Sequence, residues 1–502
     1  MSRYFLPGRG VLFARKGPFS LPAGRRKLRG GRAPRGLWLL GLGAGVAAAA
    51  ALGFSHRRNA EDAHNFAGAV DSSRDLVRRI KDEVGAPGMV AAVSVDGAEV
   101  WCEGFGYADL ENRVPCGPET VMRIASVSKS LTVAAAAGLW QEGKLDMDAP
   151  VQKYVPEFPE KQFGGENVTI TPRMILSHLS GIRHYEKDVK KVRQKREAKL
   201  LKPPEKKRES SSSDDSKEEP KLDGDDNKTK EAKQSKKKKE FEHEEYYLKS
   251  HYESVIESLD LFKDDLLVYK PGTTFLYSTH AFTLLSAVIE RAAGESFLEH
   301  MAKMFREVGM LNTVPEENEP IIYRRARFYH FNKKGRIQNC PYVDNSYKWA
   351  GGGFLSTAGD LLRFGNAVLY SYQMSDVKDT TGLLPGILKP ETAQAMWTPV
   401  DKTEASWDKD GSYGQGWLVV EKQQKYGECR RRRHYVSHTG GAVGASSVLL
   451  VLPSERTELG GDVRTAAPPQ GVVVTIITNM QSVGLNTTAL KIAHEFDKAR
   501  SE

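Results

Sequence analysis

Residues 122–132 read Met-Arg-Ile-Ala-Ser-Val-Ser-Lys-Ser-Leu-Thr, and an alanine run, 134–137, follows closely. Ser126 stands three positions before Lys129. On a helix that spacing places both side chains on one face, with Cβ atoms about 5–6 Å apart. A helix starting at Ser126 would also put the hydroxyl at the positive end of the helix dipole, where developing negative charge is favoured. Lys129 can accept the hydroxyl proton only when neutral, so its pKa must fall about 2–3 units from ~10.4. Burial beneath a core helix supplies such a shift, and Ile124, Leu131, Val133 and the alanines offer the apolar setting. The S-x-x-K pattern is weak alone. Ser235-Lys236-Lys237-Lys238 repeats it inside a charged tract with nothing to desolvate the lysine.

Two later stretches add chemistry. Tyr277-Ser278-Thr279 follows the Pro271-Gly272 turn and opens an apolar helix. A phenol there can shuttle a proton to a leaving group if a neighbouring cation lowers its pKa. His438-Thr439-Gly440-Gly441 sits at a strand end, where small residues let a substrate approach the backbone edge. A Ser nucleophile, an adjacent Lys, a mid-chain Tyr and a late [K/H]-T-G strand occur together in one group. From about Ser72 to Asp497 the chain resembles the serine β-lactamase and penicillin-binding-protein superfamily, on its esterase and class C-like side. Supporting pieces are I-L-S-H-L-S-G-I at 175–182, A-G-G-G-F-L-S-T-A-G-D-L at 350–361 and Y-G-Q-G-W at 413–417.

The resemblance implies that Ser126 is the acyl-forming nucleophile, Lys129 its activating partner and Tyr277 the proton relay. It places His438 where relatives carry a lysine facing the substrate carboxylate. It implies an oxyanion hole made of the Ser126 and Gly441 N–H groups, with Thr439 and Gly440 on the same strand. The reaction is then acyl transfer through a covalent ester relieved by water, with no metal or other cofactor. Two departures argue against efficient antibiotic hydrolysis. Thr279 stands where the second motif usually has Asn, and His438 replaces a fixed positive charge. A peptide or ester bond is the expected substrate, with peptidase activity preferred. Mitochondrial members of this superfamily further imply a homo-oligomer or filament that regulates mitochondrial lipid metabolism. A non-catalytic scaffold on the same fold is the rival, and intact Ser126, Lys129 and Tyr277 argue against it.

Other enzyme classes lack their key residues: there is no H-E-x-x-H and no G-x-S-x-G. His178 and His184 flank Ser180-Gly181 and are read as loop-packing residues rather than a catalytic cluster. Four cysteines, Cys102, Cys116, Cys340 and Cys429, show no metal-binding spacing and read as free thiols.

The 502 residues carry a net charge of +9, which first suggests nucleic acid or an anionic membrane. Its distribution removes the nucleic-acid reading. Residues 1–60 hold twelve Lys or Arg and no acid, and subtracting those twelve leaves −3 for the rest. The leader, 1–62, resembles a mitochondrial transit peptide, and its apolar run 36–54 is just long enough to span a bilayer. It predicts a mitochondrial protein associated with the inner membrane and facing the intermembrane space. A secretory signal is the competing reading, but the basic segment is long for a usual n-region. Gly43-Ala44-Gly45-Val46-Ala47-Ala48 fits a dinucleotide fingerprint, yet no strand precedes it.

Ser72-Ser73 predicts the cap of a helix running through Val84, and Asp96-Gly97 a hairpin between strands 89–95 and 99–106. Gly351-Gly352-Gly353 reads as a tight loop, and helices are predicted at 282–293, 358–369 and 489–497. Late strands are predicted at 417–420, 435–438, 445–452 and 472–477. Strands from both chain ends, with helices between, predict an α+β fold whose antiparallel sheet is shared by the termini and flanked by helices, with an all-helical region between. Residues 186–245 interrupt it with twenty Lys or Arg, seventeen Asp or Glu and eight apolar residues. Such a tract cannot bury enough surface to order itself, so a disordered or loosely helical insertion is expected.

Overall fold

Asp96 and Gly97 both take positive φ, 48° and 83°, which is what a two-residue turn joining right-twisted strands requires. They connect β1 (Gly88–Val95) to β2 (Ala98–Asp109), and Val95 pairs with Ala98 across the turn. The structure, a computed structural model, describes residues 66–200, 244–377, 381–404, 407–424, 431–455 and 468–501. The leader 1–62, its apolar run 36–54, the 43–48 glycine pattern, Ser235, the lysines 236–239 and Cys429 lie outside the described residues. No helix among the described residues is long and apolar enough to cross a membrane.

From the other end of the chain come β3 (Tyr435–Ala442), β4 (Ala445–Pro453) and β5 (Gly471–Thr478). β5 pairs antiparallel with β1, setting Val93 opposite Val474, so N- and C-terminal segments share one sheet. The full order is Ser412–Tyr413, Leu418–Val420, β3, β4, β5, β1, β2 and Val114–Pro115. Both sheet faces are covered. Successive side chains of a strand point to opposite faces. Val473 and Ile477 of β5 therefore join the helical core, while Val472, Val474 and Ile476 join the layer beneath two terminal helices. That double burial explains why these strands read as continuous apolar runs.

The terminal helices are α1 (Ala67–Glu83) and, closing the chain, a helix over Asn486–Ser501. The first starts earlier than the Ser72-Ser73 cap predicts. Phe66 packs on Phe496 with ring centroids 5.9 Å apart, and that contact holds the extra turn on the sheet; Ser73 is buried inside the helix. Between the chain ends lies the helical region. Its central helix, α2 (Val127–Gln141), is buried on nearly every side. The charged tract contributes α3 (Val189–Leu200), followed by α4 (Thr279–Ala293) and α5 (Ala358–Gln373). α5 lies against the sheet because Gly365 has no Cβ; one would fall 2.5 Å from Val473 Cγ1.

Two expectations are corrected. Gly351 and Gly352 belong to a short helix, Trp349–Gly352, rather than a loop. A Cβ on Gly351 would meet Thr279 Cγ2 at 2.6 Å, so Gly351 serves close approach to α4. Both ends of the tract 186–245 are also part of the folded body. Arg193 and Arg196 share a face of α3 and donate to the carbonyls of Val268 (2.8 Å) and Phe275 (2.5 Å). At the far end Glu245 is buried, accepting from Arg183 at 2.7 and 3.0 Å and facing His280 Nε2 at 2.9 Å. Residues 201–243 lie outside the described residues.

Candidate active site

Ser126 is the N-cap residue of α2, yet its hydroxyl caps no backbone N–H. The oxygen instead lies 3.1 Å from Lys129 Nζ, one turn into the helix. Lys129 has no exposed surface and also donates to the Gly351 carbonyl at 2.6 Å, with Thr279 Oγ1 at 3.4 Å. The rings of Tyr277 and Phe282 stand 4.8 and 5.3 Å from the nitrogen. No carboxylate among the described residues lies within ion-pair distance of it. Burial, seconded by the charge of Lys348, holds its pKa well below the ordinary 10.5. The preceding residue, Ala125, sits at φ 48°, a left-handed conformation costly for a residue with a Cβ.

Tyr277 reaches this centre from the start of α4. Ser278 caps that helix, accepting from Ala281 N at 3.1 Å and donating to the Arg183 carbonyl at 2.6 Å. The N–H groups of Ser278 and Thr279 go to imidazoles, His178 Nδ1 and His184 Nδ1, each at 3.2 Å. Accepting at Nδ1 leaves the proton of a neutral ring on Nε2. His178 is buried against Tyr277 (centroids 4.2 Å apart), and burial, then the charge of Lys129, pushes its pKa well below 6.5. The pair thus does what loop-packing histidines do, fixing the backbone that presents Tyr277.

β3 forms the opposite wall. Thr439 and Gly441 line the cleft, and nothing lies within 4 Å of where a Gly441 Cβ would be. Gly440 does a different job. A Cβ there would stand 2.2 Å from Ser447 Oγ and 2.4 Å from the Ile124 carbonyl, so β3 can abut the Ser126 turn only as glycine. His438 departs from the expected role. Its ring is fully buried and does not line the cleft. Nδ1 donates to the Thr439 carbonyl (2.7 Å), so Nε2 accepts from the Tyr413 hydroxyl (2.9 Å). Burial and the nearby Lys129 lower its pKa to about 3, so it is a neutral brace and carries no charge toward a substrate.

The cleft over Ser126 has a volume of about 610 Å³. α3 supplies part of its rim, where Lys195 faces Glu186 at 3.9 Å and Arg196 faces Glu404 at 3.5 Å. Deeper, Lys348 joins Tyr246, Tyr277 and Trp407 in the lining. The sequence reading missed Ala125, Gly351, Tyr413 and Lys348. A lone lysine inside the aromatic stretch Ser346-Tyr347-Lys348-Trp349 was the available signal for the last.

Comparison with known proteins places the chain in a family and agrees with its fold. Residues 74–216 and 221–493 match the Beta-lactamase family. The chain is 61% identical over 447 residues to the mitochondrial serine beta-lactamase-like protein LACTB of Homo sapiens, covering 87% of this chain and 81% of that protein. The Mus musculus protein of the same name is 59% identical over 455 residues, covering 88% and 82%. Among solved structures, EstCE1, a hydrolase with promiscuous acyltransferase activity, superposes with a TM-score of 0.59 at 19% identity, covering 87% of this chain and 99% of that one. A class C beta-lactamase gives 0.55 at 15% identity, covering 89% and 98%. With the fold, the Ser126–Lys129 pair and the family match in agreement, the chain belongs to the β-lactamase family.

Proposed function

We propose that this protein is a mitochondrial serine hydrolase that forms an acyl-enzyme on Ser126 and acts on a peptide bond, with esters as the alternative substrate. The observation that carries this reading is the wholly buried Lys129, 3.1 Å from Ser126 Oγ and without a carboxylate partner among the described residues. Burial disfavours the ammonium, so an amine in that setting takes up a proton as a base at a lower pH than an ion-paired lysine does. Lys129 takes the Ser126 proton as Oγ attacks the acyl carbon. The oxygen that gains negative charge is met by the N–H groups of Ser126 and Gly441; such donors are typically worth about 10²–10³ in rate. The proton passes by way of Tyr277 to the leaving group. Water then attacks the ester, giving a proton to Lys129, which passes it to Ser126 Oγ as the acyl C–O bond breaks and the acid product leaves.

The acid-free leader and the names of the human and mouse relatives support the mitochondrial address. The family resemblance supports a homo-oligomeric or filamentous state, which light scattering on the purified chain measures. For the chemistry, the mature protein and its Ser126→Ala variant are exposed to a fluorophosphonate probe and weighed intact. One adduct on the unaltered protein and none on the variant supports the hydrolase. No adduct on either, in folded and assembled protein, favours a scaffold.

A further inference from the structure

The β-lactamase fold usually meets a substrate carboxylate with a lysine on the strand that here carries His438, and His438 is buried, neutral and turned away from the cleft. Any cation that greets a substrate must therefore come from elsewhere. Lys195 and Arg196 on the rim face Glu186 and Glu404. Lys348 is different. It is 5% exposed and lines the cleft, and no hydrogen-bond or ion-pair partner for its ammonium exists among the described residues. Its nitrogen lies over the rings of Tyr246 (5.1 Å) and Tyr347 (5.0 Å). Ring faces offset little of the cost of burying an ammonium, so a lysine held this way is under-compensated until an anion arrives.

We infer that Lys348 is the anion-recognising residue of the cleft, and that the substrate carries a single carboxylate that pairs with it while the acyl group meets Ser126. The inference rests on the hydrolase reading above for its second half only. One ammonium balances one negative charge, and it lacks the fork or the ring of N–H groups that a dianionic phosphate takes. The unliganded amine fits the role: burial and Arg123 lower its pKa to about 7, against Glu316 and Asp344, and a bound carboxylate would raise it again.

The test compares 4-phenylbutyrate with 4-phenylbutanol by calorimetry at pH 6.5, on the full-length protein and on Ser126→Ala. The unaltered protein should bind the acid at least roughly tenfold more tightly than the alcohol, as expected for a buried charge pair. Lys348→Met should erase that difference and Lys348→Arg should keep it, with thermal melting showing that each variant is folded. Lys348→Gln replaces Lys348→Met if the latter does not fold. An acid preference that survives loss of the charge, or no preference in the unaltered protein, overturns the inference. Preference for the acid in a protein that a fluorophosphonate does not label would leave the anion subsite standing and sink the hydrolase reading instead.

Discussion

At the scale of the residue, the account turns on one amine and one missing methyl group. Lys129 is useful because it is dry. Lys129→Met should leave a folded protein whose fluorophosphonate acylation is about 10²–10⁴-fold slower, the usual contribution of a positioned base. Gly440 acts through space rather than chemistry. Gly440→Ala brings a Cβ against the Ile124 carbonyl, which cannot swing aside as a side chain can. It should slow acylation at least tenfold and cost about 1–3 kcal/mol of stability, the price of overpacking. Gly441→Ala, entering open space, should be close to neutral in a denaturant melt. Ser126 and Lys129 were legible in sequence because the spacing of a helix brings them together without tertiary help. Lys348 and Ala125 were not, because one acquires its meaning from burial and the other from a backbone angle.

At the scale of the element, local signals worked where local chemistry decides. The Asp96-Gly97 turn and the strands around it follow from residues that tolerate positive φ. The start of α1 was misplaced because Phe66 stacking on Phe496 is a contact between chain ends that no local cap reports. α3 is helical, one of the two states expected of the tract, but its packing was not legible for a similar reason. Its composition resembles a solvated tract, but two arginines on one face find backbone carbonyls of the loop before α4. Replacing Arg193 and Arg196 together by Ala should free this helix. Trypsin should then cut within 187–199 markedly faster, while the melting temperature of the body moves by no more than a few degrees. Unchanged cutting would mean that the helix is held by something else.

At the scale of the molecule, the shared sheet was legible because both chain ends carry β-rich apolar runs, and the termini of this fold meet in one layer. The role of His438 was not. A strand motif predicts position, while the Tyr413 hydroxyl and complete burial decide charge. His178 and His438 both have folded pKa values below the ordinary 6.5, so between those values the unfolded chain binds more protons than the native one. Their contribution to stability should thus be level above about pH 6.5 and fall as the pH drops toward about 3, by up to ~1.4 kcal/mol per pH unit for each histidine. Urea midpoints at several pH values read this slope, and His438→Gln should flatten it. The most direct test of the central claim is the rate of Ser126 acylation by a fluorophosphonate as a function of pH. A dry Lys129, facing Ser126, Thr279, the Gly351 carbonyl, Tyr277 and Phe282, near the neutral rings of His178 and His438 and repelled by Lys348, predicts a rate that rises with pH through a midpoint well below 10.5. Lys348→Met should move that midpoint upward. A midpoint at the ordinary lysine value, or a profile that Lys129→Met leaves unchanged, would contradict it.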